Sequence, residues 1–339
     1  MVLCSRCVLY IRKNERITIM SIIQRRADSG VKSGKYVAAI YMGKQFFSTD
    51  YGLSFTEKKC NFIYLSASVA ILEDTGDVFV ATRGSINNIY VSRDGLVTTN
   101  LIKPNTLFED ITGMDITKDG NTLFVLGEYQ YLRKIDIQTN TIIEGNWLNV
   151  DYKMHKLAVS RNGRYIVIAG DSFMHGSNDY SLTLKLSKQI EYPYSTSNKL
   201  NDMVMSGDGK YIFYSFKSAS LDYNGIFRVH CDDWDTVDRI SVAEINNYYI
   251  PTQICVSHTG KYIILIYGSS QGNWISRDFG RSFTRLVGMD DATQFVMSSN
   301  GKYIYCINGS ALYRSADYGN TFSLALSGIN SSYMIAISK

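Results

Sequence analysis

Phe295-Val-Met-Ser298-Ser-Asn300-Gly301-Lys302-Tyr303-Ile-Tyr305, followed ten residues on by Ser315-Ala-Asp317-Tyr-Gly319-Asn-Thr-Phe322, decides the fold, because copies of it recur along the chain. A turn rich in Gly and Asn between short apolar runs is a hairpin signal. A second tight turn 16 residues later marks another.

Gly34, Gly76, Gly120, Gly163, Gly209, Gly260 and Gly301 hold the first turn in seven units, at spacings of 42, 44, 43, 46, 51 and 41 residues. A period in that range is the mark of a repeat architecture. Before six of these glycines stands an apolar run ending in Ser, Thr or an equivalent, such as Val69-Ala-Ile-Leu72, Leu157-Ala-Val-Ser160, Ile254-Cys-Val-Ser257 and Phe295-Val-Met-Ser298. After it comes an aromatic-rich run, such as Tyr165-Ile-Val-Ile168 or Tyr262-Ile-Ile-Leu-Ile266. Runs apolar at successive positions suit strands covered on both faces, so each unit reads as a small sheet between neighbouring sheets. The first unit lacks its leading run, whereas the chain ends on an orphan one, Tyr333-Met-Ile-Ala-Ile-Ser338-Lys339. Joining the two ends restores the repeat, and a ring closed in this way leaves no exposed terminal sheet. The expectation is an all-β, seven-bladed β-propeller of four-stranded antiparallel blades. Its last strand completes the first blade, residues 33–339 form one domain, and residues 1–32 precede it as a basic extension.

The second turn carries a family resemblance. Ser48-Thr-Asp50-Tyr-Gly52-Leu-Ser-Phe55, Ser276-Arg-Asp278-Phe-Gly280-Arg-Ser-Phe283 and Ser315-Ala-Asp317-Tyr-Gly319-Asn-Thr-Phe322 resemble the Asp-box, or bacterial neuraminidase repeat, and Ser92-Arg-Asp94-Gly95 reads as a shortened copy. Each box Asp follows its turn glycine by 16 or 18 residues, so the boxes share one register. Asp136 keeps that register without the glycine, and blades 4 and 5 read as having lost the box. A short carboxylate accepts backbone N–H bonds in such a turn, Gly supplies positive φ, and the aromatic packs on the blade, so these residues read as structural.

Asp-box propellers include sialidases, sortilin-type receptors, certain glucanases and non-enzymatic assembly factors, and the resemblance implies a fold shared by all of them. With strands A to D counted outward from the channel, the A–B and C–D turns share one face and the B–C and D–A loops the other. The resemblance implies ligand binding on that second face. Sialidases grip a carboxylate with three arginines, yet the residues eight before each turn glycine are Ser68, Thr112, His155, Asn201, Thr252 and Thr293, with Tyr333 supplied by closure. None offers the bidentate fork that such a clamp requires. Asp115 and Asp202 stand on channel-side strands of different, non-adjacent blades, which is the thin basis for an Asp-box glycoside hydrolase. No nucleophile triad, phosphate loop or metal-ligand cluster is evident, so catalytic residues, metal and cofactor are all expected to be none. Cys4-Ser-Arg-Cys7 has zinc-knuckle spacing but no second ligand pair.

Blades 4 and 5 carry the extra length, which reads as B–C loop inserts at 170–180 and 217–224. Phe173, His175, Asp179, Tyr180 and Tyr223 in these inserts, with Tyr192, Tyr194, Tyr248 and Tyr249 in nearby D–A loops, form the candidate binding set. Tyr among Asn, Ser and Gly suits a rigid contact surface. The leading expectation is a non-enzymatic recognition or scaffold protein that binds a protein partner on this face. Glycan binding there, with Trp147, Trp234 and Trp274 as platforms, is the alternative.

Composition bounds these readings. The chain has 339 residues, 45% hydrophobic and 19% charged, enough for a large core. Net charge is +4, but residues 1–35 hold eight cations against two anions, a balance of +6 that leaves −2 for the rest. The body therefore carries no basic footprint for nucleic acid. Arg6 interrupts the N-terminal apolar residues, so no signal peptide is read, and no apolar run is long enough to span a bilayer. Six cysteines without disulfide spacing fit a reducing compartment.

Overall fold

The computed structural model describes residues 3–4, 7–8, 33–41, 44–59, 65–83, 88–103, 111–127, 132–139, 141–143, 154–170, 174–178, 199–217, 224–246, 249–268 and 271–338. The chain divides into two compact units, residues 1–32 and 33–339. In the first, Leu3–Cys4 pairs antiparallel with Cys7–Val8, with Cys4 and Cys7 as register partners.

The second unit is a seven-bladed β-propeller, and no described residue is helical. Blade 1 joins Met334–Ile337 to Val37–Tyr41, Lys44–Ser48 and Thr56–Lys58. Blade 2 runs from Leu65–Ile71 to Asn100–Lys103 and blade 3 from Ile111–Ile116 to Thr141–Ile143. Blade 4 shows three strands among the described residues, Met154–Val159, Ile166–Gly170 and Met174–Ser177. Blades 5, 6 and 7 begin at Lys199–Met205, Gln253–Val256 and Gln294–Met297.

Closure repeats the chemistry of an ordinary A–B turn across a break in the chain. In blade 7 the Gly301 N–H donates to the Ser298 carbonyl at 2.8 Å, and the Tyr303 N–H to Ser298 Oγ at 3.0 Å. At the junction of the chain ends the Gly34 N–H donates to the Ser338 carbonyl at 2.8 Å, and the Tyr36 N–H to Ser338 Oγ at 3.2 Å. The described core comprises seven hydrophobic clusters, one for each interface between blades. The cluster between blades 7 and 1 joins Tyr305 and Ile307 to Val37, Ile335 and Ile337. A linear stack has one interface fewer than it has blades, so the seventh cluster reports the ring.

Glycine is required where blades interlock. A Cβ on Gly301 would lie 2.3 Å from Tyr262 Cδ2 of the preceding blade, and Gly301 has a φ of 75°. In other blades too the aromatic after the A–B turn packs on the turn glycine of the next blade, as Tyr36 does on Gly76 and Tyr303 on Gly34, while Leu72 and Thr117 stand against Gly120 and Gly163.

The Ser-x-Asp turns are built alike. Ser315 Oγ donates to Asp317 Oδ1 at 2.7 Å and accepts from the Gly319 N–H at 2.9 Å, while Asp317 accepts from the Thr321 N–H and hydroxyl. The turns at Ser48, Asp50 and Gly52 and at Ser276, Asp278 and Gly280 repeat this arrangement with Ser54 and Ser282 in place of Thr321. Phe55, Phe283 and Phe322 each join an interblade cluster.

Blade 2 corrects the reading of a shortened copy. Ser92, Asp94 and Thr98 make the full hydrogen-bond set, with the glycine moved one place forward. Gly95 and Leu96 both take positive φ, 69° and 66°, and Leu96 is buried among Phe47, Val78 and Val80. Packing of that side chain offsets the strain of a non-glycine left-handed residue.

Blade 4 departs further from expectation. Residues 174–177, read from the sequence as part of a loop insert, form strand C, and Ser177 pairs with Ile166 just as Ser315 pairs with Ile304. In the sequence Ser177-Asn-Asp179 opens like the motif, but Ser181 and Leu184 stand where the other copies have glycine and an aromatic.

Candidate functional site: the central channel

Strand A stands at the inner edge of every blade, so its inward N–H and C=O groups have no partner strand and face the channel. In four blades the residue four places before the turn Ser or its equivalent Leu72, namely Ser68, Asp202, Gln253 and Gln294, meets this demand in the next blade. Asp202 Oδ2 accepts from the Ile254 N–H at 2.8 Å, Gln253 Oε1 from the Phe295 N–H and Gln294 Oε1 from the Ile335 N–H, both at 3.2 Å. Ser68 Oγ donates to the Met114 carbonyl, and Lys156 Nζ donates to Asp202 Oδ1 at 2.8 Å. These side chains form a belt around the loop-face end of the channel, each tying one blade to the next. Asp202, weighed as a glycosidase carboxylate, is held by two such ties.

The other end is closed by one arginine. In six blades the residue at the start of the A–B turn lines the channel, and there the Lys118 N–H donates to the Arg161 carbonyl, the Arg161 N–H to the Gly207 carbonyl and the His258 N–H to the Ser299 carbonyl. Arg161 of blade 4 also donates from Nη2 to Glu73 Oε2 of blade 2 and from Nη1 to Ser299 Oγ of blade 7, both at 2.7 Å. Neither blade is its neighbour, so these bonds run across the axis. A Cβ on Gly207 would lie 2.3 Å from His258 Nδ1 and 3.0 Å from Arg161 Cδ, and glycine leaves room for the crossing. Burial pulls the Arg161 guanidinium down from its usual value while Glu73, Asp74 and Asp115 oppose the shift, and arginine stays charged. Burial, assisted by Arg161, also lowers His258 and favours its neutral form.

Between the belt and the plug lies a cavity of about 380 Å³, a size in the range of small-ligand sites. Ser68 and Gln253 line it at one end and Glu73, Arg161 and His258 at the other.

The two faces are as expected. The Tyr51, Phe279 and Tyr318 N–H groups of the C–D turns donate to the Lys35, Lys261 and Lys302 carbonyls of the A–B turns, which puts both turn types on one side. The candidate residues divide. Phe173, Asp179, Tyr180, Tyr192, Tyr194, Tyr223 and Tyr248 lie outside the described residues. Tyr249 is 41% exposed in the D–A loop between blades 5 and 6. His175 is buried in strand C opposite Ile168, the register place filled by Phe46, Trp274 and Tyr313 in blades 1, 6 and 7. That register recasts it as a core residue, and burial lowers its pKa. Two tryptophans read as glycan platforms are packing residues: Trp274 is buried and donates to the Gln271 carbonyl, and Trp234 lies on Gly176. Trp147 lies outside the described residues. Among the described residues no cluster of His, Cys, Asp and Glu is fit to hold a metal, and no helix is long and apolar enough to cross a membrane.

The Ser-x-Asp turns make stability acid-sensitive. Hydrogen bonds from the Thr98 hydroxyl and N–H hold Asp94 at about 2. Partial burial pushes Asp317 up, but its bonds from Thr321, Ser315 and Asn320 outweigh this and hold it at about 2 as well. A carboxylate lowered on folding stabilises fully above its unfolded value of 3.8, and the contribution is lost as pH falls through the folded value. Melting temperature should therefore drop steeply from pH 4 toward pH 2. Asp317→Asn should be less stable than the parent at neutral pH, and the gap should close over that window. A constant gap in melting temperature from neutral pH to acid would contradict this account.

No protein-family model and no curated protein matches the chain. Among solved structures, a chain of the Kuenenia stuttgartiensis hydrazine synthase superposes with a TM-score of 0.56 and 15% identity, over 85% of this chain and 93% of that one. At that identity the likeness is one of fold.

Proposed function

We propose that this chain is an Asp-box propeller acting as a non-enzymatic recognition or scaffold protein, and that it contacts a protein partner through its loop face. The observation that carries the reading is the division of labour on that face. The polar side chains at the channel mouth, Lys156, Asp202, Gln253 and Gln294, are engaged in holding blades together. Tyr249, 41% exposed, and Val287, 88% exposed, lie on the D–A loops that follow blades 5 and 6. Exposed aromatic and aliphatic side chains on the loop face suit a protein contact. The four hydrogen-bonded Ser-x-Asp turns support membership of the Asp-box group. The ties on Asp202 weigh against the hydrolase reading, and the packing of Trp234 and Trp274 weighs against the glycan reading.

The test is quantitative affinity capture with the wild type, Tyr249→Ala with Val287→Ser, and Tyr192→Ala with Tyr248→Ala. At least one captured protein should bind the substituted chains roughly tenfold or more weakly, as for the loss of a contact hot spot. Unchanged capture of every partner overturns the reading, and a glycan-array signal abolished by the same substitutions replaces it with glycan binding.

A further inference from the structure

We propose that Asn308 is a site of spontaneous deamidation, a covalent change that places a negative charge on the loop face and frees the loop carrying Val287. The inference goes beyond partner docking and does not depend on it. Asparagine is a thermolabile residue, and one followed by glycine is the most open to this reaction, because a backbone nitrogen with no side chain beside it reaches the amide carbon of the residue before it. The chain holds four such pairs, at 162–163, 224–225, 300–301 and 308–309. The fold treats them differently.

Three pairs are protected. In the A–B turns of blades 4 and 7 the Gly163 and Gly301 N–H groups donate to the Ser160 and Ser298 carbonyls, both at 2.8 Å. The side chains there are fixed as well. Asn162 Oδ1 accepts from Ser160 Oγ at 2.7 Å and from the Arg164 N–H at 3.0 Å, and Asn300 Oδ1 accepts from Ser298 Oγ at 2.8 Å and from the Lys302 N–H at 3.0 Å. Ring closure in either turn must disturb three hydrogen bonds at once. Asn224 is 2% exposed, and Gly225 is buried in strand register opposite Phe216, so solvent base and water are kept from both.

Asn308 stands at the end of strand B of blade 7, opposite Ala311, and Gly309 and Ser310 form the exposed B–C turn between them. The Gly309 N–H donates to no described residue. Gly309 has a φ of 59°, and a Cβ there would meet nothing within 4 Å, so the turn has room to rearrange. The Asn308 side chain is held through Nδ2, which donates to the Gly288 carbonyl at 3.1 Å in the D–A loop between blades 6 and 7. Nδ2 is the atom that departs.

In the reaction the Gly309 nitrogen gives its proton to solvent base and bonds to Asn308 Cγ, and the Cγ–Nδ2 bond breaks with release of ammonia. Water then opens the cyclic imide at Cγ to leave an aspartate, or at the backbone carbonyl to leave an isoaspartate. Either product is a carboxylate with no amide donor for the Gly288 carbonyl. The tie between the B–C turn of blade 7 and the D–A loop is lost, and Val287, 88% exposed, is the neighbour of Gly288 in that loop.

Peptide mass spectrometry tests this on the folded full chain, incubated in mildly alkaline buffer made with heavy-oxygen water and digested afterwards in ordinary water. The label should enter at residue 308 roughly tenfold or more faster than at 162, 224 or 300, since attack in the A–B turns must first break hydrogen bonds that residue 308 does not have. In urea the four pairs should react at similar rates, which assigns the difference to the fold. Asn308→Asp should speed hydrogen exchange at the Gly288 and Met289 amides. Asn300→Asp, which keeps an oxygen to accept from Ser298 and the Lys302 N–H, should leave them unchanged. Faster labelling at another of the four pairs, no label at 308 in a folded chain that takes it up when unfolded, or exchange at Gly288 indifferent to Asn308→Asp overturns the proposal.

Discussion

Deleting residues 331–339 should unfold or severely destabilise the whole ring. Tyr333, Ile335 and Ile337 are all buried in the cluster between blades 7 and 1, and burying a large apolar side chain contributes about 1.5–3 kcal/mol. The deletion also leaves Gln294 without the Ile335 N–H and the Tyr333 carbonyl it bridges. It exposes the edge of Val37–Tyr41 as well, whose register partners are Met334 to Ile337. Against a total stability of roughly 5–15 kcal/mol, the loss of several kcal/mol is decisive. Melting temperature should fall by roughly 10 °C or more, or the cooperative transition should vanish. Deletion of residues 1–19, which precede the first repeat, is the matched control and should shift melting little. A C-terminal truncant that melts with the parent would refute closure through this strand.

The ring was legible because its determinants are local and repeated. A turn glycine must have positive φ and must make room for a side chain of the preceding blade, as Gly301 does for Tyr262 and Gly120 for Leu72, so the same letter returns once per blade. Closure was legible for the same reason, since Ser338 and Gly34 are two halves of one turn. Blade 4 reads as loop from Gly170 onward because Ser181 stands where the motif has glycine, and Ser177 lacks that mark. His175 then followed Ser177 onto a supposed loop, although its register place is a core aromatic slot. In blade 2 the displaced glycine is visible in the sequence, whereas the burial of Leu96 that makes the displacement tolerable depends on blade 1.

The channel was much less legible, because ring geometry rather than sequence spacing assembles it. The belt residues Ser68, Lys156, Asp202, Gln253 and Gln294 share a position and a task but no chemical type. No motif search collects a hydroxyl, an ammonium, a carboxylate and two amides. Register alone reveals them, counted back from the turn Ser or Thr. Arg161 adjoins a turn and reads as a solvated charge, yet its partners Glu73 and Ser299 lie 88 and 138 residues away in sequence. Such pairs become predictable once the ring is closed and the residues after each turn Ser are set on one circle.

Arg161→Met should destabilise the propeller by about 3–5 kcal/mol, the cost of leaving one partner of a buried ion pair uncompensated. Glu73 is 4% exposed, and the variant removes the guanidinium that faces its Oε2. The methionine keeps much of the aliphatic stem, so lost packing is a minor part of the effect. Adding Glu73→Gln to Arg161→Met removes the stranded charge and should recover most of the loss, since a buried ion pair replaced as a unit is often nearly neutral. The two outcomes separate two roles for the crossing side chain. Recovery in the double variant means that charge compensation sets the single variant's cost, and that the seven interblade clusters hold the ring without the plug. Failure to recover means that the bonds from blade 4 to blades 2 and 7 brace the ring themselves. Urea denaturation of the parent, both single variants and the double variant gives the coupling energy directly. An Arg161→Met chain as stable as the parent would show that the guanidinium does not cross the axis, and the blind end of the channel would be lost with it.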